Sequence, residues 1–170
     1  GASASVLAVP LLAVFGLAAQ PLSPAQLESE LDDMERVYQP IELLRDRIGY
    51  LLQEADVYPM SQQMRIRRLS CWSQSADDME KSRAAIAYAD SQLKWVQKGG
   101  DEAAVVDLTL CRGWFHQLIG DVVHARRDYD EGLVRAKQAG LEKLEALALA
   151  RRGAMLSFQG ASGQGLVDLT

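Results

Sequence analysis

Histidine and cysteine are scarce in this 170-residue sequence, which has two of each. Two cysteines are too few for a disulfide framework or a cysteine-based zinc site. His116 and His124 are eight residues apart with a Gly-Asp turn signal between them. They therefore cannot share one helix face as a metal-binding pair would. The sequence predicts no metal site and no cofactor.

Charge of one sign is not in large excess either. The chain has 18 basic and 23 acidic side chains and a formal net charge of -5, which argues against a nucleic-acid partner. The one basic cluster, Arg65 to Arg68, fans over more than one helix face, which favours a solvated surface over a phosphate or lipid site. The remaining composition, 48% hydrophobic and 24% charged, is that of a soluble globular domain with a sizeable core.

Hydrophobic runs are short, apart from 14 uncharged residues at positions 6–19. That length matches the core of a secretory signal and is short for a membrane span. The basic segment that normally precedes such a core is missing. We interpret residues 1–20 as the remainder of an export leader. If this segment is retained, residues 6–19 are expected to mediate self-association. The alternative is a buried apolar helix, which Pro10 and Gly16 disfavour.

From residue 23 onward the apolar spacing is helical, and no segment alternates with period two for long enough to form a strand. Ser23, Pro24 and Gln26 combine an N-cap, a first-turn proline and a capping-box partner, and Pro40 ends this first run. The second run extends from residue 41 to Pro59. Five more helices are predicted over 61–75, 78–98, 102–118, 121–138 and 141–158. The fourth helix is expected to bury Met79, Ser82, Ile86, Ala89, Leu93 and Val96. The predicted class is all-α.

The chain also resembles itself at an offset of 40 residues. Cys71 aligns with Cys111 and Gly100 with Gly140, and the other matches are mostly small residues. Small residues at helix crossings and turns are typical of stacked helical hairpins. We divide the chain into residues 1–20, an N-terminal helical hairpin over 21–60 and repeats of about 40 residues over 61–170. The last repeat is cut short, so we expect the natural protein to continue.

The two cysteines are expected to remain buried free thiols. Equivalent positions on successive repeats are separated by about one helix-packing distance, about 8 to 10 Å. That separation exceeds the Cα distance that a disulfide tolerates.

The segment GWFHQLIGDVVHARRDY, residues 113–129, resembles the core of a tetratricopeptide repeat. The positions that match the family pattern are Gly113, Ala125, Tyr129 and, less well, Gly132. The resemblance implies that the small residues allow the paired helices to touch. Thr109 and Arg112 stand where the family has an aromatic residue and a leucine, and the family period is about 34 residues. HEAT-like repeats, which have a longer period, are the alternative.

The leader-like start and the repeat body are similar to the extracytoplasmic input regions of bacterial membrane-anchored signalling proteins. More narrowly, they resemble the N-terminal repeat regions of GGDEF-type diguanylate cyclases. No cyclase motif lies in this chain, so the resemblance implies a non-catalytic periplasmic sensory or interaction domain. An intracellular tetratricopeptide- or HEAT-like scaffold is the alternative. An enzyme is disfavoured because His116 lies about 140° around the helix from Cys111.

Helical repeats usually bind partners on the concave surface lined by the first helix of each hairpin. The tetratricopeptide pairing predicts that this surface carries Arg67, Gln74, Asp78, Trp114, Gln117, Leu118 and Phe158. Trp114 is the strongest candidate anchor for a protein, a peptide or a small ligand, because its ring is large and amphipathic. The alternative is that Trp114 only packs between helices. Membrane contact is expected only through the N-terminus or through segments outside this chain.

Overall fold

The computed structural model describes residues 20–36 and 41–159, without the side chains of residues 41 and 42. The predicted leader up to residue 19, the predicted self-association segment 6–19 and the predicted partial hairpin after residue 159 lie outside these ranges. The described residues form seven α-helices and no strand, which confirms the all-α class. The helices are α1 (Pro24–Arg36), α2 (Ile41–Gln53), α3 (Met60–Trp72), α4 (Met79–Gly99), α5 (Glu102–Leu118), α6 (Val122–Ala139) and α7 (Glu142–Phe158), with a 3₁₀ turn at Ala55–Val57.

Several helices begin where the sequence places their caps. At α1, the Ser23 N–H donates to Gln26 Oε1 at 2.9 Å, and the Gln26 N–H donates to Ser23 Oγ at 3.2 Å. This reciprocal pair is the predicted capping box. At α5, Asp101 accepts from the Ala104 N–H at 3.0 Å. Each cap satisfies a backbone donor that has no partner inside the helix.

Helices α3 to α7 form a stack of antiparallel hairpins. Each helix packs on the next one in the chain, and the first helices α3, α5 and α7 also pack on one another. Gly100 and Gly140 close α4 and α6 in the left-handed conformation, with φ of 70° and 67°, which glycine adopts without a Cβ penalty. Contacts restricted to near neighbours in the sequence are the mark of a helical-repeat architecture.

Helices α1, α2 and α3 share a separate apolar cluster. Its buried members include Leu27, Leu31, Ile48, Leu51 and Ile66. On the polar side, Arg65 of α3 forms ion pairs with Glu28, Asp32 and Glu35. Helix α3 therefore packs on α1 and α2 as well as on the helices of the stack.

The predicted buried face of α4 is confirmed except at its first residue. Ser82, Ala89, Leu93 and Val96 are buried and Ile86 is half-buried. Met79 is 52% exposed, so the expectation that it is buried was wrong. It is the first residue of α4, and the N-cap turn holds it outside the contact with the neighbouring helices.

Helices α5 and α6 approach each other closely at two glycines. A Cβ on Gly113 would lie 2.9 Å from Tyr129 Cε1 and 3.1 Å from Asp128 Cβ. A Cβ on Gly132 would lie 2.5 Å from Leu110 Cδ2. The contacts of 2.9 Å and 2.5 Å are shorter than those of real Cβ atoms, so a larger residue at either position would force Tyr129 or Leu110 to move. At both positions α5 and α6 approach closely because one helix has a glycine where the other has a larger side chain.

The two cysteines are joined as a disulfide between α3 and α5, with 6.5 Å between their Cα atoms. The expectation of two free thiols was wrong because it used the distance between helix axes. A Cα atom lies about 2.3 Å from its helix axis, so two Cα atoms that face each other are closer than the axes. The observed separation falls within the range that a disulfide spans.

Candidate functional site

One surface of the stack brings together two tryptophans and an arginine from three successive first helices. The Arg151 Cζ atom of α7 lies 4.4 Å from the ring centre of Trp114 on α5 and 5.4 Å from that of Trp72 on α3. Both distances are within the range of cation–π attraction. Both indoles are half-buried and pack against the core of the stack. We call Trp72, Asp107, Trp114 and Arg151 the Trp–Arg site.

The repeat period explains why these residues meet. Cys71, Cys111 and Arg151 follow one another at intervals of 40 residues, so they occupy equivalent positions on α3, α5 and α7. The first two form the disulfide, and the third is an arginine whose side chain reaches back over the indoles. Sequence reasoning missed Trp72 and Arg151, although extending the cysteine alignment by one more period would have reached Arg151.

A buried carboxylate fixes one of the two indoles. Asp107 is 7% exposed, and its Oδ1 accepts from Trp72 Nε1 at 3.0 Å. Its Oδ2 accepts from Arg68 Nε at 2.8 Å. The arginine compensates the charge of Asp107, and the indole N–H has the partner that a buried tryptophan requires. The ring of Trp72 is thus held in place before any ligand arrives.

Arg151 differs from the neighbouring arginines in having no acceptor. Within the described residues its guanidinium takes part in no ion pair and no side-chain hydrogen bond, whereas Arg68 and Arg152 both contact carboxylates. A guanidinium held over aromatic rings with its donors available is suited to bind a carboxylate in bidentate fashion.

A pocket of about 350 Å³ lies at the start of α7. Its wall includes Arg68, which also contacts Asp107, together with Ala103, Leu141 and Leu144. Glu142 and Lys143 also line the pocket, which therefore offers apolar surface beside charges of both signs. At the Trp–Arg site itself, the indoles lie next to the guanidinium of Arg151. An aromatic surface next to a guanidinium suits a peptide or protein segment with an acidic side chain next to an apolar one.

Of the residues predicted for the concave surface, Trp114 is the one that belongs to the Trp–Arg site. Arg67 lies instead over the ring of Trp95, with 3.7 Å between its Cζ atom and the ring centre, and its Nη1 donates to Gln92 Oε1 at 2.9 Å. Phe158 and Leu118 are 86% and 43% exposed, at the ends of α7 and α5. The structure does not bring these residues into one site.

The other predicted residues form local hydrogen bonds. Asp78 is the N-cap of α4 and accepts from the Lys81 N–H at 2.8 Å. Gln74 Nε2 donates to the Ser70 carbonyl at 2.9 Å. Gln117 Oε1 accepts from the Tyr129 hydroxyl at 2.7 Å, a contact that links α5 to α6. These contacts explain the three residues as parts of the fold.

The two histidines meet at the turn between α5 and α6, which the sequence argument did not anticipate. Their rings stack with centroids 5.1 Å apart, and Asp121 lies next to both, with its Oδ2 3.4 Å from His116 Nδ1 and 2.7 Å from His124 Nδ1. Burial lowers the pKa of His116, and the hydrogen bond from His124 lowers the pKa of Asp121. The premise that the histidines share no helix face is correct, but the hairpin folds one helix back onto the other.

The fold and the site define an all-α protein of stacked helical hairpins with an aromatic and cationic surface on its first helices. No protein-family model, no curated protein and no solved structure matches the chain. Among the described helices, none combines the length and the apolar character needed to cross a membrane.

Proposed function

We propose that this chain is a non-catalytic interaction or sensory domain that binds an acidic segment of a protein or peptide partner at the Trp–Arg site. The observation that carries the proposal is Arg151, which lies over two indoles and has no acceptor among the described residues. Tryptophan and arginine are the residues that most often dominate binding energy in protein interfaces. Trp72, Trp114 and Arg151 come from three separate helices, so this surface forms only when the helices stack.

The cysteines support the compartment that we propose. Disulfides persist in oxidising compartments and are rare in the cytosol, so the Cys71–Cys111 bond supports a periplasmic or other extracytoplasmic location. It disfavours the intracellular scaffold. Within this proposal, the domain is the input region of a membrane-anchored bacterial signalling protein of the diguanylate cyclase type. The support for that narrower statement is the resemblance of residues 113–129 and their neighbours, and the cyclase activity would reside outside this chain.

Binding is tested with an array of immobilised peptides that vary in acidic and apolar content. The wild-type chain should bind peptides that contain a carboxylate next to an apolar side chain. Arg151→Gln should weaken that binding at least about tenfold, which corresponds to a loss of about 1.4 kcal/mol. Arg83→Gln is the matched control, because Arg83 is an exposed arginine of α4 and its substitution changes the net charge equally.

Trp114→Ala is a weaker test by itself, because the indole also packs against the core. Loss of binding by Arg151→Gln with an unchanged unfolding midpoint separates recognition from stability. Equal effects of Arg151→Gln and Arg83→Gln would show that the array reports net charge alone, and would refute binding at the Trp–Arg site.

The compartment is tested with an export reporter fused to the intact gene, which should be active outside the cytosol. A reporter that is active only in the cytosol would refute the proposed location.

A further inference from the structure

The corner between α5 and α6 holds three side chains whose donor atoms are typical metal ligands. One ligand atom from each of His116, Asp121 and His124 lies within 4.8 Å of the other two. We propose that this corner binds a divalent transition-metal ion of the zinc class through two imidazole nitrogens and one carboxylate oxygen. The site is independent of the Trp–Arg site and of the partner proposed for it.

The geometry arises from the short connection between the two helices. His116 lies in the last turn of α5 and His124 in the first turn of α6. Gly120 turns the chain with φ of 78°, and the Asp121 N–H donates to the His116 carbonyl at 2.9 Å. This turn places Asp121 next to both rings. Three ligands from one compact corner are brought together by the local fold, with no long-range contact required.

Both rings present the same nitrogen to the carboxylate. They are nearly parallel, with an interplanar angle of 21°, and in each case it is Nδ1 that lies toward Asp121 Oδ2. The Nδ1 atom of His116 is shielded from solvent and has no hydrogen-bond partner among the described residues. A buried polar atom without a partner carries a desolvation cost, and a coordinated ion would remove that cost.

The donor set selects the class of ion. Two imidazole nitrogens and one carboxylate favour Zn²⁺ and its neighbours Ni²⁺ and Cu²⁺, whereas Mg²⁺ and Ca²⁺ prefer oxygen ligands alone. Three protein ligands leave a fourth tetrahedral position for water or for a group from a partner. Binding requires the hydrogen bond between His124 and Asp121 to open. The His124 side chain is 47% exposed, so its ring has room to turn.

The experiment uses the full chain without an oligohistidine tag, freed of metal beforehand, and titrates it with Zn²⁺ against a chromophoric chelator. We expect one ion per chain. His124→Gln should lower the affinity at least about a hundredfold, because even outer-shell partners of metal ligands contribute about 10- to 100-fold. The chain has two histidines, so selectively labelled imidazole NMR signals report on this site alone, and both should shift upon addition of Zn²⁺.

The substitution of the Asp121 carboxylate has a matched control at Asp78. Asp121 and Asp78 are both N-caps that accept from a backbone N–H, and asparagine serves equally well as an N-cap. Asp121→Asn should weaken Zn²⁺ binding at least tenfold at an unchanged unfolding midpoint, and Asp78→Asn should leave the affinity unchanged. Failure of wild type to bind Zn²⁺, Ni²⁺ or Cu²⁺ at micromolar concentrations would overturn the proposal. Equal binding by His124→Gln and wild type would overturn it as well.

Discussion

Reduction of the Cys71–Cys111 disulfide should destabilise this protein strongly. The bond closes a loop with a sequence separation of 40 residues. In the chain-entropy treatment, a loop of that length removes about 13 cal/mol/K from the unfolded chain, which corresponds to about 4 kcal/mol at 25 °C. For a chain of this size, about 1 kcal/mol corresponds to roughly 2 to 4 °C in Tm. The expected decrease in Tm is therefore roughly 8 to 16 °C.

The assay is urea unfolding followed by far-UV circular dichroism, with and without a thiol reductant. With a slope of about 2 kcal/mol/M, the midpoint should move to lower urea by about 2 M after reduction. Thiol titration of the denatured, unreduced protein should find no free thiol, and the reduced protein should show both of its cysteines.

The variant with Cys71→Ala and Cys111→Ala is the control for side effects of the reductant. Its midpoint should be the same with and without reductant and should lie close to that of the reduced wild type. A wild-type protein without free thiols whose midpoint does not move upon reduction would refute the reasoning. Such a result would mean that the unfolded chain gains no freedom when the loop opens.

Three further predictions concern the packing of α5 against α6, each measured by urea unfolding. Gly113→Ala should lower the unfolding free energy by about 1 to 3 kcal/mol because the new Cβ meets Tyr129 and Asp128. The control is Gly49→Ala, which has open space around it and should raise the unfolding free energy by about 0.5 to 1 kcal/mol. Equal effects of the two substitutions would refute the close approach of α5 and α6 at Gly113. Asp128 is fully buried and receives two hydrogen bonds of 2.8 Å from Arg112. Asp128→Ala should therefore lower the unfolding free energy by about 3 to 5 kcal/mol. A decrease below about 1 kcal/mol would contradict a buried ion pair between the two residues. Burial raises the pKa of Tyr129 above its ordinary value of 10.0. The stability that this residue contributes is therefore present below pH 10.0 and is lost as the pH rises through the raised pKa. Tyr129→Phe should reduce this loss of stability at alkaline pH, and a pH profile of stability equal to that of wild type would contradict the prediction.

The helices and their buried faces were largely predictable because they depend on local chemistry. The capping box at Ser23, the cap at Asp101 and the left-handed Gly100 and Gly140 are encoded within a few residues. The boundaries of α3 to α7 agree with the predicted ones to within about three residues, which is the usual uncertainty of such boundaries. Helix α2 ends at Gln53 and is followed by the 3₁₀ turn, so the predicted end of the second run at Pro59 was wrong.

The sites were harder to predict because they depend on distances between helices. Trp114 was a candidate on chemical grounds, but its partners Trp72 and Arg151 lie on other helices, and only the stack places them together. The disulfide was missed because a spacing between axes does not specify which side chains face each other. The histidine pair was missed because helical periodicity applies within one helix and says nothing about residues across a turn.

The same disulfide also determines how the chain transmits tension. Its loop contains the whole of α4 and most of α5, so a force that pulls on the two ends passes from α3 to α5 through the covalent bond and bypasses α4. A chain extends by about 3.3 to 3.6 Å per residue, and the oxidised molecule should therefore stretch roughly 130 to 140 Å less than the reduced one. In single-molecule pulling, the bond makes α4 a segment that bears no load.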